Sequence, residues 1–493
     1  MKICLVVAFP PSGGPLNEYA LHVARELQSN PRVELTILAD ELVDYGFATD
    51  ADGKPLNARQ QPELPGFNVI RCWRVGSLAT PVRLLGVIRK LKPDVVWFNL
   101  VFSSFGTQSS PIAAFAGLSA PALTRAAGFY THITLHQIIE NVDLAAAGVR
   151  REGIYRMATT VATRTLLKAH SVSVLLSGYR RTLMTKYSAQ NVLLGTHGIF
   201  STISGRPDFS RRGNPDLRIL AFGNWGTYKR LETLMEAFPA VLKKVPNARL
   251  IVAGANHPAK TGYWESVREA LPAGLPIEFR GYIPRQDVAE LFRTSSVLVM
   301  PYDSATGSSG PAHQACEYGL PIVCADIPDF QEMAADEDMA VSFYKKGNAS
   351  DLAERLTAIL RSPALLTSMG EHNFAAGVQM TIASVVRNYL RWFELKKCEK
   401  EIRNAGAVSA RCGGWLRSLI PSSANNLPPI PIATLGDGIK GRRRLEPAAS
   451  NVHAVEFAHA IAWHTSECSI DQQDVEPIRG LDSPDVTPER QYG

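Results

Sequence analysis

The sequence predicts an α/β protein made of two Rossmann-like, doubly wound parallel-sheet domains that face a cleft, and three observations carry that expectation. Short apolar runs alternate with segments of helical period from residue 3 to about residue 199. The alternation then breaks at a polar, turn-rich stretch, 201–215 (STISGRPDFSRRGNP), and starts afresh at 218. Finally, glycine-bearing loops follow the first strand of each half and the strand that ends near 300. In open α/β sheets that strand end is where ligands sit.

The first half, 1–200, reads in order. Ile3–Phe9 is a strand, the Pro10–Pro15 turn leads to a helix from Asn17 to Leu27, and VELTILA (33–39) and NVIRCWRV (68–75) are strands. A helix over Pro81–Leu91 precedes the strand PDVVWFN (93–99), a helix lies around 110–118, and YTHITLH (130–136) is the next strand. A basic helical stretch follows, and SVSVLLS (171–177) and NVLLGTHGI (191–199) close the half. MKICLVVAFPP begins with a lysine and an apolar run, but without a small-residue cleavage site it reads as a strand and not a leader.

The second half, 216–381, repeats the pattern. RILAFGN (218–224), ARLIVAG (248–254), IEFRGYI (277–283) and VLVMPY (297–302) are strands, separated by helices over Lys229–Val245, Tyr263–Leu271 and Gln286–Thr294. A polar loop at Gly307–Gly310 leads into a helix over Pro311–Tyr318 and then the strand from Pro321. A helix over Ser350–Leu360 follows, and one over 382–397 is long enough to cross back to the first domain. From 398 to 493 strand and helix periodicity vanish together, so this tail is expected to be disordered.

Composition narrows the class. With 45% hydrophobic and 20% charged residues over 493, the chain can bury two cores, and a net charge of +6 is too mild to argue for nucleic acid. Charge is nonetheless uneven: eight Lys and Arg between 150 and 190 face one acid, Glu152. This is either a solvated helix face or a surface for anionic lipid headgroups. The most apolar window, Ile112–Leu123, is broken by Pro121 and falls short of the ~20 residues that span a bilayer. Seven cysteines without a CxxC pair argue for free thiols in a reducing cytoplasm, and not for a zinc site or disulfides.

Three loops could carry chemistry. Gly307, Ser308, Ser309 and Gly310 present backbone N–H groups and hydroxyls where a helix begins, which suits a diphosphate; alternatively a serine there is merely an N-cap. Gly223 to Lys229 (GNWGTYK) sets a lysine just before a helix, where it either neutralises phosphate or stands in solvent. Gly13-Gly14 follows the first strand, but the spacing is not GxGxxG and no acid sits convincingly at the end of the second strand to hold a ribose. A nicotinamide enzyme is therefore disfavoured.

Eight strings in order then carry a resemblance: FPPSGGPLNEYALHVARELQ, ITLHQ, SVSVLLSGYRRTLMTKY, GTHGI, LAFGNWGTYKRLETLMEAF, ARLIVAG, IEFRGYIPRQDVAELFRTSSVLVMPY and SSGPAHQACEYGLPIVCADIPDFQEM. Over about 1–396 the chain resembles glycosyltransferase family four, the retaining GT-B enzymes. The resemblance implies a nucleotide-sugar donor, UDP- or GDP-linked, held mainly by the second domain. It implies an acceptor held mainly by the first, and metal-independent transfer with no cofactor. Carried over by position, Lys229, with Arg230 as a second cation, meets the donor diphosphate, Gly307–Gly310 cradles it beside Gly223, and Gly13 and Gly14 approach from the other domain. His136 matches the histidine near the reacting sugar, and backbone around Tyr282 and Ile283 reads the base.

The chain also departs from the pattern. The family's paired glutamates fall on Thr306 and Gln314, which hydrogen-bond without charge assistance, about half as strongly. Glu317, one turn beyond Gln314, is placed to take over the ribose contact. The expected activity is retaining hexosyl transfer to a glycan or lipid-linked acceptor in bacterial cell-surface polysaccharide biosynthesis, including exopolysaccharide, by a cytoplasmic protein resting peripherally on the inner membrane face. The alternative is a non-catalytic GT-B scaffold that binds a nucleotide or glycan. An epimerase or phosphorylase is disfavoured by the lack of a carboxylate pair at the cleft and of a lysine placed for a pyridoxal ring.

Overall fold

In the computed structural model the described residues are 1–418, apart from 13, 15, 43–62, 107–109, 139, 141–151, 201–206, 208, 210–215, 258–259 and 306. The first domain contains β1 (Lys2–Val6), α1 (Asn17–Ser29), β2 (Glu34–Asp40), β3 (Val69–Trp73), α2 (Thr80–Leu91), β4 (Val95–Leu100), α3 (Pro111–Gly117), α4 (Ala120–Ala126), β5 (Tyr130–Leu135), α5 (Glu152–Leu166), β6 (Ser171–Val174), α6 (Ser177–Tyr187) and β7 (Val192–Leu194). The second contains β8 (Leu217–Phe222), α7 (Glu232–Lys244), β9 (Ala248–Ala253), α8 (Tyr263–Glu269), β10 (Ile277–Gly281), α9 (Arg285–Arg293), β11 (Val297–Met300), α10 (Gly310–Glu317), β12 (Ile322–Ala325), α11 (Pro328–Asp336), β13 (Val341–Tyr344), α12 (Ala349–Leu360) and α13 (Pro363–Gln379). Helix α14 (Ile382–Ser418) follows.

Both sheets are parallel and doubly wound. Their strand orders are β3-β2-β1-β4-β5-β6-β7 and β10-β9-β8-β11-β12-β13, so each reverses direction beside its first strand, between β1 and β4 and between β8 and β11. Continuous apolar runs make such strands because helices cover both faces. Along β1, Ile3 and Leu5 join the cluster that holds Val23 and Leu27 of α1, whereas Cys4 and Val6 join the cluster that holds Leu84 and Ile88 of α2. Every residue of β4 is buried.

Helix α14 lies on the first of these faces, where Val385, Tyr389 and Phe393 pack with Trp97 and Ile3. The two crossings between the domains are tied together. The Ile199 amide donates to the Met380 carbonyl at 2.9 Å, and the Ile382 amide donates to the Ile199 carbonyl at 3.0 Å.

Several elements differ from expectation. The apolar window 112–123 forms two helices, because Pro121 opens a new first turn instead of ending the chain's helical run. Helix α14 continues past Lys397 to Ser418, into the stretch expected to be disordered; CEKEIRNAGAVSAR keeps strong helix formers and no proline comes before 421. The rest of the tail, from 419, lies outside the described residues, as does most of the 201–215 linker. Of that linker, Phe209 is buried against Phe374. The cysteines at 4 and 324 are buried and free, as their strand patterns suggest, and so is Cys316 on α10.

Candidate active site: a cleft between the two sheets

Parallel strands deliver all their C-terminal loops to one edge, and here those edges border a cleft of about 940 Å³. Pro10, Asn17 and His22 line it from the first domain; Gly223, Lys229, Tyr282, Ile283, Gly310, Gln314 and Glu317 line it from the second. Seven of the residues singled out in the sequence thus meet in one cavity.

Lys229 is presented by a tight turn. Gly226 and Thr227 take positive φ (104° and 54°), and the Gly226 and Lys229 backbones exchange hydrogen bonds of 2.9 and 3.1 Å. The side chain is half-buried, with Nζ 4.9 Å from the Tyr302 ring centroid. Gly223 leaves the space beside it, since a Cβ there would stand 3.6 Å from Nζ. Burial lowers the ammonium pKa to about 8, and no carboxylate among the described residues pairs with it. Arg230 points elsewhere: it is exposed, bonds Glu232 at 2.9 Å and lies 3.7 Å from Asp303. Its charge is spent on these two acids, so Lys229 is the cation that the second domain turns to the cleft.

The Gly307–Gly310 turn is a cradle of backbone. Gly307 has φ +126°, and a Cβ on it would come 2.5 Å from the His136 carbonyl oxygen, so the two domains touch here through backbone alone. Ser309 occupies the N-cap of α10, yet its side chain caps nothing. Its hydroxyl lies 3.3 Å from Met300 Sδ and its amide donates to Met333 Sδ at 3.4 Å. Among the described residues the Ser308 hydroxyl is buried without a partner. Helix α10 has no side-chain cap; Pro311 offers no N–H and the His313 amide is taken by the Ser309 carbonyl, so Gly310, which lines the cleft, carries the first-turn amide that can meet an anion there. The merely capping role for these serines is therefore not what the structure contains. Thr306 lies outside the described residues.

One turn along α10, Gln314 and Glu317 border the cleft. Glu317 is buried, and the phenol of the neighbouring Tyr318 has its pKa raised by burial and by that carboxylate. Arg293 lies over the Tyr318 ring at 5.6 Å. Tyr282 is half-exposed beside Ile283.

In the first domain, Gly14 is packed against its own strand: a Cβ would meet Ala8 at 2.7 Å and Asp40 at 3.2 Å, and Gly14 does not line the cleft. Gly13 lies outside the described residues. An acid does stand at the end of the second strand, and the sequence reading passed over it. Asp40, fully buried, accepts from the Ser12 hydroxyl and from the Phe9 amide at 3.2 Å. Arg71 braces the same loop by donating to the carbonyls of Asp40 and Pro10, each at 2.8 Å. Asp40 is thus turned inward to shape the loop.

His136 is buried; Asn99 Oδ1 is 3.4 Å from its Nε2 and the Tyr19 ring lies edge-on at 4.6 Å. Burial pulls its pKa down to about 3, so the ring is neutral. It begins a file of rings absent from the sequence reading. His197 lies 6.1 Å from His136 and 4.6 Å from His313 of α10, with Tyr19 5.2 Å from His197. No local signal marks these residues, because the loops after β5 and β7 and the helices α1 and α10 bring them together from distant parts of the sequence.

This architecture, two parallel doubly wound sheets facing a cleft, is the GT-B fold of glycosyltransferases. Residues 216–362 match the family model described as "Glycosyl transferases group 1", so the second domain is a group 1 glycosyl transferase domain. Among curated proteins, the chain is similar to sulfoquinovosyl transferase SQD2 of Arabidopsis thaliana, 25% identical over 298 residues, 58% of this chain and 53% of that protein. The chain thus spans about half the length of that relative. Among solved structures, it resembles sucrose-phosphate synthase from Thermosynechococcus elongatus (TM-score 0.60, 14% identity, covering 81% of this chain and all of that one). It also resembles Anabaena Alr3699/HepE in complex with UDP (0.58, 13%, 80% and 99%) and WaaG, a glycosyltransferase involved in lipopolysaccharide biosynthesis (0.54, 14%, 79% and 98%).

Proposed function

We propose that the protein is a retaining glycosyltransferase that moves a hexose from a UDP- or GDP-sugar to a glycan or lipid-linked acceptor in bacterial cell-surface polysaccharide biosynthesis. The observation that carries this reading is convergence: Lys229, unpaired, and the uncapped N-terminus of α10 border the same cleft, where Gly307 brings the donor-side turn against His136. Charge develops on the diphosphate oxygens as the sugar leaves, and a preorganised cation and amides stabilise it without reorganising. No metal or further cofactor enters this scheme. Loss of Lys229 in Lys229→Ala should lower transfer by ~10²-fold or more with the fold intact. A panel of UDP- and GDP-sugars assayed for nucleoside diphosphate release tests the whole reading.

Gln314, at the cleft where the resemblance expects a carboxylate, favours a second reading, a GT-B scaffold that binds nucleotide or glycan without turnover. Tight binding without release across the panel would establish it.

The lipid-linked acceptor places the protein peripherally on the cytoplasmic membrane face. Helices α2, α3 and α5, with the turn before α2, expose Leu78, Val82, Ile112, Met157 and Val161, each at least 59% accessible. Within the helices α2, α3, α4 and α5 themselves Glu152 is the lone acid against six arginines and lysines, of which Arg83 pairs with Glu41. Exposed apolar side chains on helices rich in cations suit anionic headgroups. Among the described residues no helix is long and apolar enough to cross a membrane.

A further inference from the structure

We infer that His313, held as an imidazolium by Glu337, is a positioning residue that fixes the Ser308–Gly310 turn and sets a buried positive charge behind it. The protonation state follows from what surrounds the two ring nitrogens. His313 Nδ1 lies 2.7 Å from the Ser309 carbonyl, which can only accept, so Nδ1 carries a hydrogen. Nε2 lies 2.8 Å from Glu337 Oε2. With Glu337 ionised, a neutral ring would leave the Nε2 lone pair 2.8 Å from a carboxylate oxygen; protonation at both nitrogens removes that repulsion.

Glu337 leads to the same state. Its side chain is 5% exposed and neither oxygen has an aligned hydrogen-bond donor, so the contact with His313 is an ion pair more than a directed bond. A buried carboxylate without a counter-charge would cost several kcal/mol. The other titratable groups facing His313 do not compete for the role. His197, packed at 4.6 Å, is kept neutral by burial and by the charge of His313; Cys316, on the same helix, has its thiol pushed up by burial and by Glu337.

The consequence falls on the cleft. The Ser309 carbonyl that His313 holds belongs to the peptide whose N–H is Gly310, and Gly310 lines the cleft. Holding the carbonyl aims that amide, and the cation lies within one turn of the anion-binding end of α10. Burial opposes the charge, but the carboxylate prevails and raises the imidazole above its ordinary range. This contribution is complete below the ordinary histidine value and is lost as pH rises through the raised one.

The inference rests on the nucleotide-sugar reading of the cleft, and two measurements keep the two apart. NMR titration of the full chain with ring-labelled histidine, His313 being assigned by the signal lost in His313→Gln, should find a charged imidazole at neutral pH whose midpoint falls in Glu337→Gln. Calorimetry with UDP and GDP should find the dissociation constant of the bound nucleotide about fivefold or more weaker in Glu337→Gln at neutral pH. A neutral His313 in the wild type, or nucleotide affinity indifferent to Glu337→Gln, overturns the positioning role even where the nucleotide binds. Failure of both nucleotides to bind the wild type overturns the donor reading and the positioning role with it, whatever the imidazole's charge.

Discussion

At the scale of single residues, the cleft is governed by what Lys229 and Gly307 are allowed to do. Lys229 has its pKa drawn down to about 8 by burial, and a bound diphosphate would raise it again. Nucleotide affinity should therefore be full below about pH 8 and decline above it, and calorimetry across that range should find proton uptake on binding near pH 8 that Lys229→Met abolishes. Gly307→Ala forces a Cβ into φ +126° and against the His136 carbonyl. It should cost ~1–3 kcal/mol wherever the turn is formed, read as a lower melting temperature and a loss of kcat/KM of about tenfold. Both residues were legible in the sequence, since glycine loops at strand ends announce themselves. Asp40 was not, although it directly follows an apolar strand, because its meaning depends on Ser12 and Phe9 from another loop. His197, His313 and Glu337 were beyond reach for the same reason.

Elements explain how the two halves of the cleft are held. Helix α11 places Asp329, Glu332 and Asp336 on one side, and all three meet the start of α6. Glu332 and Asp336 accept from the Gly178 and Ser177 amides at 2.9 and 2.7 Å, and the Tyr179 hydroxyl donates to Asp329 at 2.6 Å. Carboxylates at a helix N-terminus satisfy orphan amides and oppose the helix dipole's positive end. Glu332→Gln with Asp336→Asn should lower stability by ~1–2 kcal/mol. A urea midpoint unchanged from the wild type would refute this clamp. Most strands were read to within a few residues, since buried parallel strands are continuous apolar runs. Helix α11, strand β13 and helix α13 were not delineated: PDFQEMAAD begins with a proline and VSFY is half-buried at a sheet edge, so neither gives a clean period.

On the scale of the whole molecule, the two parallel sheets were legible because the alternation of strand and helix restarts after 215, whereas the sharing of surfaces between domains was not. Phe393 is the clearest test of that sharing: α14 follows the second domain in sequence, yet this ring is buried against Trp97 and His132 of the first. Phe393→Ala should cost ~3–5 kcal/mol, and in differential scanning calorimetry the loss should fall on the first domain's transition. The backbone bonds that join Ile199 to Met380 and Ile382 have a further consequence. They set the two ends of the 200–381 stretch side by side, which makes the second domain, with the linker before it, an insertion in a chain that begins and resumes on the first. A segment entered and left at one point can be exchanged as a cassette without reopening the host sheet, so under the proposed function, with the donor on the second domain and the acceptor on the first, the two preferences would be free to diverge separately.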